Sequence, residues 1–396
     1  MTILLAPALL YFSNSILFNS LFTRLPAIQE AMAIDKTMLG LALLSAPVGT
    51  FLALPLSGRI TDRLTPRVTA VTMLPICAVL APLITILPFA GFAFCFFLYG
   101  FFRTIFDVSA NMISAGIEQR SGKKVLARSH GFWSVGLLVG SLASGFLADR
   151  GVSPFAQQSI AAILVLVACA AAFRVMPKEM RKEKPAERRP AYVLPDRTIL
   201  MICVMVFGLC IVEGAIYDWG TFFLREVVKA DPATTGILYA TFTIGMGATR
   251  MAGDKLRDLF GPVLLVRSSA LLVALGIVLL VVSPGFATAG MALAALALFT
   301  LGCGIALAFP LAVSTTISLG KGQASENLAA LALTLMISTI GVPPLLGFIA
   351  QHISLSAAFV VLLPFVAVSF LMAPVADGRR VRLWSARAKT GQAKAN

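Results

Sequence analysis

The sequence has 396 residues, of which 58% are hydrophobic and only 13% are charged, and its mean hydropathy is +0.91. This composition excludes an ordinary soluble enzyme, which needs more charge to cover its surface, and favours a chain that lies in a bilayer. The net charge of +14 is attributed to membrane topology, so nucleic acid is not an expected partner. Long unbroken apolar runs exclude a membrane β-barrel, whose strands alternate, and predict an all-α membrane protein.

Twelve apolar runs are long enough to cross a bilayer as helices. They lie at about 3–23, 37–58, 68–87, 91–116, 130–148, 157–175, 199–222, 235–253, 264–283, 287–313, 327–347 and 355–375. One long polar segment separates spans six and seven. The predicted organisation is therefore an N-terminal six-helix bundle at 1–176, a linker at 177–197, a C-terminal six-helix bundle at 198–376 and a basic tail at 377–396.

Positive charge alternates between the two sides of the predicted bundle. Every second connection and the tail are rich in Lys and Arg, and the connection after span two alone holds Arg59, Arg63 and Arg67. The intervening connections hold only Arg24, Lys36, Arg150, Arg225 and Lys229. The positive-inside rule then places both termini and the linker in the cytoplasm, as in a multi-pass protein of a bacterial inner membrane. The linker and tail are expected to be solvated and to meet anionic lipids.

Two short segments recur about half a chain apart. The chain reads "GRITDRLTPR" after span two and "DKLRDLFGPV" after span eight, which matches Asp62 to Asp258 at an offset of 196 residues. It reads "GFLA" from Gly145 and "GFIA" from Gly347, an offset of 202 residues. Because many transporters are built from duplicated halves, the repeats predict two related bundles.

The first loop copy resembles the signature of the major facilitator superfamily. Gly58, Asp62, Arg63 and Arg67 fit that signature, whereas Thr65 and Pro66 replace a glycine and a basic residue. The resemblance implies two pseudo-symmetric six-helix bundles that move a small solute by alternating access, and a monomer.

The loop residues have a physical role in that setting. A glycine allows close helix approach, a carboxylate can lie at a helix N-terminus, and arginines can hold carboxylates or lipid phosphates. The residues predicted to gate the cytoplasmic side are Gly58, Asp62, Arg63, Arg67, Asp258 and Glu326, with Glu326 as a partner for Arg63. The alternative is that the basic residues only anchor the topology.

No motif for ATP hydrolysis or for another enzymatic reaction occurs. The segment "SLGKGQ" lacks the spacing of a phosphate-binding loop, and no nucleophile elbow, zinc-protease motif or dinucleotide loop is present. The chain is not expected to be an enzyme or to carry a cofactor or metal. A solute must then move down its own gradient or be coupled to an ion, for which protons are the expectation.

Span four carries the first candidates for proton coupling. Arg103, Asp107 and Asn111 are spaced four residues apart, so they share one face of a helix. Charges in mid-membrane persist mainly where they face a cavity or a partner. Either Asp107 takes up a proton when Arg103 moves away, or the two form a permanent ion pair that packs the helix. The residues leave both interpretations open.

Glu213 in span seven is the second candidate carboxylate. No basic residue lies within a helical turn of it, which makes it at least as good a proton carrier as Asp107. His130 is interpreted as a loop residue first and as a proton relay second.

Aromatic and amide side chains predict the chemistry of the substrate. The predicted substrate-binding residues are Asn14, Asn111, Trp133, Tyr217, Trp219 and Tyr239. A cavity lined by these side chains suits a weakly charged compound with a flat ring and hydroxyl groups, which binds by stacking and a few hydrogen bonds.

Three segments narrow the resemblance to one branch of the family. They read "EGAIYDWGTFFLREV", "MAGDKLRDLFGP" and "HGFWSVGLLVGS", and they are similar to bacterial permeases related to the fucose permeases, a branch that includes riboflavin importers. Proton-coupled uptake of riboflavin is therefore the first functional hypothesis. A sugar/proton symporter and a proton-coupled drug or metabolite exporter are the alternatives, although span five lacks the Gly-Pro pair that is usual in the family's antiporters.

Overall fold

A computed structural model describes residues 5–122, 125–176, 195–286, 289–319 and 324–378. Within these ranges the regular structure is helical, and no strand occurs. Ten helices of the described chain are long and apolar enough to cross a membrane. The predicted all-α membrane fold is confirmed.

The first half of the chain forms eight helices. They are α1 (Ala6–Phe22), α2 (Leu25–Met32), α3 (Lys36–Leu43), α4 (Ser45–Leu64), α5 (Pro66–Ile84), α6 (Phe89–Ser121), α7 (Leu126–Asp149) and α8 (Pro154–Val175). Most of the predicted linker and tail lie outside the described residues.

The second half forms eight further helices. They are α9 (Arg197–Phe222), α10 (Pro232–Val282), α11 (Gly290–Ile305), α12 (Ala308–Ser318), α13 (Ala324–Thr339), α14 (Val342–His352), α15 (Leu355–Val360) and α16 (Leu363–Met372). A π-helical turn at Phe223–Val227 extends α9.

The ten candidate spans account for eleven of the twelve predicted ones, and α1 accounts for the remaining one. The first predicted span corresponds to α1, which has only 17 residues. The candidate at Pro232–Gly285 is 54 residues long, too long for one crossing, and α10 within it turns at Gly261, where φ is 72°. The eighth and ninth predicted spans are the two arms of α10. The helices thus supply twelve crossings in two six-helix halves.

Short polar side chains set where several helices begin. The residues Asp35, Ser153, Asp196, Asp231 and Ser354 each precede a helix and accept a hydrogen bond from the backbone N–H three residues later. These caps satisfy donors that the first helical turn leaves free. The polar residues between apolar runs therefore fix where the next helix begins.

The repeated loop has the same backbone in both copies. Thr65 has φ 75° and ψ 146°, and Gly261, which lies 196 residues later, has φ 72° and ψ 161°. In each copy a proline follows and begins the next helical arm. The sequence repeat is therefore also a repeat of backbone conformation. Thr65 adopts it at a cost, since left-handed φ values are unfavourable for a β-branched residue.

The two halves meet tightly on the side opposite Arg59 and Arg63. A Cβ atom added to Gly145 of α7 would lie 2.8 Å from the Cα of Gly236 in α10. A Cβ atom added to Gly347 of α14 would lie 3.2 Å from the Cα of Gly40 in α3. Both copies of the "GF[LI]A" repeat thus place a glycine where the halves touch. We call these two contacts the seam and this side of the protein the sealed side.

An ion pair also joins the halves on the sealed side. The Lys36 Nζ lies 2.9 Å from the Glu226 Oε2, and the Lys36 backbone N–H donates to the Gln351 Oε1 at 3.1 Å. Lys36 begins α3 in the first half, whereas Glu226 and Gln351 belong to the second half. Close glycine contacts, an ion pair and a hydrogen bond therefore all join the two halves on this side.

The opposite side, which we call the basic side, is less closely joined. Arg59, Asp62 and Arg63 are exposed, and none of them forms an ion pair among the described residues. A Cβ atom added to Gly58 would meet nothing within 4 Å. The described residues thus show close packing between the halves at the seam and none at Gly58.

Candidate functional site

Two helices of the first half, α1 and α6, bring polar groups to one wall. The Asn14 side-chain amide of α1 donates to the Asp107 Oδ1 at 3.4 Å, and the Tyr11 hydroxyl donates to the Asn111 Oδ1 at 2.7 Å. The Asp107 side chain is 38% exposed although it lies in the middle of α6. The predicted stripe on span four therefore meets α1 and lines a space that solvent can reach.

Arg103 is held mainly by aromatic rings. Its guanidinium carbon lies 4.3 Å from the ring centre of Phe18 and 5.2 Å from that of Trp133. Its Nε is 3.9 Å from the Asp107 Oδ2, which is too far for a hydrogen bond. Cation–π contact is favourable at such ring distances. The ion pair that the sequence predicted is thus present but loose, and Asp107 is only partly neutralised by direct contact.

The second half carries a matching wall. The Arg250 Nη2 lies 3.4 Å from the Glu213 Oε1, and the Tyr217 hydroxyl donates to the same oxygen at 3.3 Å. Arg250 also donates from Nε to the backbone carbonyl of Ala306 at 3.3 Å. Each half therefore presents one carboxylate, one arginine and one tyrosine.

The partner of Glu213 is the residue that sequence reasoning missed. A search within one helical turn of Glu213 finds no basic residue on α9, because the cation comes from α10. Arg250 lies near the end of span eight, and the structure places it within α10. Its position inside the predicted span 235–253 is the signal that could have found it.

Aromatic rings connect the two walls. The rings of Phe18 in α1 and Tyr217 in α9 are 5.6 Å apart and nearly perpendicular, and Tyr217 meets Phe242 of α10 at 6.0 Å in the same manner. Edge-to-face pairs of this kind are favourable. Phe18 and Tyr217 lie one helical turn closer to the sealed side than Asn14 and Glu213. The two rings therefore form a floor beneath the ion pairs.

These groups line a space between the halves that we call the central cavity. Its walls carry Asp107, Asn111, Glu213 and Arg250, and Phe18 and Tyr217 form its floor. Asn111 is exposed, and the Glu213 and Arg250 side chains are 23% and 33% exposed. His130 lies inside α7 and not in a loop, and its ring is 5.0 Å from that of Tyr11. The four polar residues of the cavity walls lie on the basic side of the aromatic floor.

Two of the predicted binding residues lie away from this cavity. Trp219 and Tyr239 have no exposed surface. Trp219 packs against Phe222, with ring centres 5.3 Å apart, and the Tyr239 hydroxyl donates to the Ile216 carbonyl at 3.5 Å. Their contacts are those of core packing. The other predicted binding residues, Asn14, Asn111, Trp133 and Tyr217, belong to the walls described above.

The predicted gating residues are on the basic side. Arg67 donates to the Phe173 carbonyl and lies 4.0 Å from the centre of the Phe173 ring. Asp62, Arg63 and Asp258 are exposed. The Glu326 side chain lies outside the described part of the chain, so its predicted contact with Arg63 stays a prediction.

The described part of the chain contains no cluster of side chains suited to binding a metal ion. No three His, Cys, Asp or Glu side chains within it lie close enough together to hold a metal ion. The chemistry of the central cavity is that of ion pairs, amides and rings.

Comparisons with known proteins agree with this architecture. The model of the Major Facilitator Superfamily matches residues 7–330. An uncharacterised transporter of Sinorhizobium fredii, y4wD, is 26% identical over 371 residues, which covers 91% of this chain and 95% of that protein. The membrane protein MosC of Rhizobium meliloti is 26% identical over 376 residues, which covers 93% of this chain and 88% of that protein. The crystal structure of the nucleoside transporter NupG superimposes with a TM-score of 0.74 at 16% identity, covering 95% of this chain and 98% of that one.

Proposed function

The chain belongs to the Major Facilitator Superfamily, and from that premise we propose that it takes up a small, weakly charged organic nutrient together with protons. The family match and the relatives support secondary transport. Proton coupling, direction and substrate are proposals that rest on the central cavity.

One observation carries the proposal of proton coupling. Two loose acid–base pairs, Asp107 with Arg103 and Glu213 with Arg250, occupy opposite walls of one cavity at separations of 3.9 and 3.4 Å. Protonation of either carboxylate removes the attraction that orients its arginine. The freed guanidinium can then bind substrate, so proton binding and substrate binding are coupled. A permanent pair would be expected to make short, bidentate contacts.

The proposed orientation follows from the charge asymmetry. We assign the basic side to the cytoplasm by the positive-inside rule. The described state is then open inward, and the seam closes the external side. In the outward-open state the seam separates, and the residues Gly58, Asp62, Arg63, Arg67, Asp258 and Glu326 close the cytoplasmic side. We propose a monomer in a bacterial inner membrane, with the linker and the basic tail in contact with anionic lipids.

The cavity suits a planar ring that carries hydroxyl groups. Phe18, Trp133 and Tyr217 offer ring faces and edges, and the exposed Asn111 offers an amide. Asn14 has no exposed surface and acts through its hydrogen bond to Asp107. Riboflavin has this chemistry and is the first substrate to test. A nucleoside combines a ring and hydroxyls in the same way, and NupG, whose fold this chain shares, is a nucleoside transporter. Sugars and exported drugs remain the alternatives.

A ligand screen on the purified protein tests the substrate class. Binding stabilises the folded state by mass action, so a substrate raises the unfolding temperature. We expect riboflavin or a nucleoside to raise it and Tyr217→Ala to reduce that shift, whereas Tyr239→Phe, a change in the buried core, leaves it intact. A shift by sugars or by cationic drugs alone would contradict the proposed substrate class. Growth of riboflavin auxotrophs on low external riboflavin then tests uptake.

A further inference from the structure

A second cavity lies between the halves on the sealed side. Its volume is about 530 Å³, and it is lined from the first half by Arg24 and Glu30 and from the second half by Thr221 and Arg225. We call it the seam cavity. None of the residues that define the central cavity lines it, so it is distinct from the proposed transport site.

Arg24 is a buried cation without an anionic partner. The residue is only 7% exposed, and it donates to the Gln157 Oε1 at 3.1 Å and to the Val152 carbonyl. Its Nε has no hydrogen-bond partner, and no carboxylate of the described chain lies within ion-pair distance. An uncompensated buried charge is strongly unfavourable.

Arg225 brings a second cation to the same cavity from the other half. It donates to the Ala230 carbonyl at 3.2 Å and pairs with no carboxylate among the described residues. Burial, and secondly the Arg225 guanidinium, lower the pKa of Arg24. The sealed state thus holds two like charges across the contact between the halves.

The remaining polar groups of the cavity do not neutralise these cations. Glu226 is engaged by Lys36 at 2.9 Å, and Glu30 is exposed and forms no ion pair in the described chain. The Thr221 hydroxyl lines the cavity, is 2% exposed and has no hydrogen-bond partner. Two guanidinium forks and a free hydroxyl donor match the acceptors of an oxyanion.

We propose that the seam cavity binds a small soluble oxyanion, such as a carboxylate or a phosphate, between Arg24 and Arg225. The anion contacts both halves at once, so it neutralises their mutual repulsion and stabilises the sealed state. The volume leaves room for an organic molecule that carries the charged group. Glu30, at the same cavity, opposes the anion and lowers its affinity.

Thermal unfolding of the detergent-purified protein tests the site with inorganic phosphate as the probe, against chloride at equal ionic strength. Phosphate also stabilises folded proteins without binding to a specific site, so variants are needed to separate the two effects. We expect a saturable rise of about 3 °C or more in the wild type, loss of it in Arg225→Gln, and a lower half-saturating concentration in Glu30→Gln. Arg150→Gln is the matched control, because Arg150 lies on the same side against the Phe146 ring and outside the cavity.

Three results would overturn the proposal. An equal phosphate shift in the wild type and Arg225→Gln shows a general salt effect. A shift with phosphatidylglycerol in phosphate-free buffer, but none with phosphate, assigns the arginines to a lipid headgroup. If Arg225→Gln does not fold, Glu30→Gln decides alone, since unchanged half-saturation there contradicts the site. None of these measurements depends on transport.

Discussion

Replacement of Gly145 by alanine tests whether the seam closes one side of the protein. The added Cβ would lie 2.8 Å from the Gly236 Cα and 2.8 Å from the Pro232 carbonyl oxygen. Both neighbours are backbone atoms, so α7 and α10 must move apart. Overpacking of this kind costs about 1–3 kcal/mol. Because the strain exists only while the seam is closed, the equilibrium shifts about 5-fold to 150-fold toward the state in which it is open.

Labelling of a cysteine in the seam cavity measures this shift. Thr221 is buried in the sealed state, so a Thr221→Cys thiol reacts faster with a bulky, membrane-impermeant maleimide when the seam separates. We expect Gly145→Ala to accelerate labelling in phosphate-free buffer. Gly131→Ala on the same helix is the control, since its Cβ meets nothing within 4 Å. The protein without Thr221→Cys gives the background from native cysteines. Equal labelling of the Gly145→Ala and Gly131→Ala proteins would refute the proposed role of the seam.

Three further predictions concern the connections. Lys36→Glu or Glu226→Lys replaces the 2.9 Å ion pair with two like charges and should speed labelling of the same cysteine by about twofold to thirtyfold, because loss of the pair and the new repulsion each contribute about 0.2–1 kcal/mol. The double exchange should restore the slow rate. Thr65→Gly should raise thermal stability by about 1 kcal/mol, since relief of the left-handed strain at φ 75° exceeds the loss of a weak cap; a lower unfolding temperature would contradict the strain. Hydrogen bonds from the Thr234 side chain and backbone hold the pKa of Asp231 below its usual range. The ionised Asp231 cap therefore stabilises the folded protein fully above the pKa of about 3.9 that an aspartate has in the unfolded chain. This stabilisation is lost as the pH falls through the lower pKa of Asp231 in the folded protein. Asp231→Asn should flatten this part of the acid unfolding profile, and an unchanged profile would count against the cap.

The fold was predictable because the bilayer restricts the choice of structure. Apolar runs of sufficient length must be helices in lipid, and the alternating charge of the loops indicates on which side of the membrane each loop lies. The loop repeat predicted the relation of the halves, which appears as matching backbone angles at Thr65 and Gly261. What the sequence did not show is that Gly145 and Gly347 mark the contact between the halves, since a repeat shows that two segments are alike and not what they touch.

The central cavity was only half predictable for a similar reason. The stripe of Arg103, Asp107 and Asn111 lies on one helix, so its spacing alone brings these side chains together. The pair of Glu213 with Arg250 joins two helices, and no local pattern specifies such a contact. Burial of Trp219 and Tyr239 also depends on packing between helices, which aromatic content does not reveal.

Proton-driven flux in reconstituted vesicles tests the central claim most directly. Uptake of a ligand identified by the thermal screen is measured with and without an imposed pH gradient, in the wild type, Asp107→Asn and Glu213→Gln. The exposed carboxylate Asp149 provides the control variant Asp149→Asn. We predict that the gradient drives uptake by the wild type and the control, and that at least one cavity variant loses this dependence while still binding the ligand. Unchanged gradient dependence in both cavity variants would contradict the role of the two ion pairs.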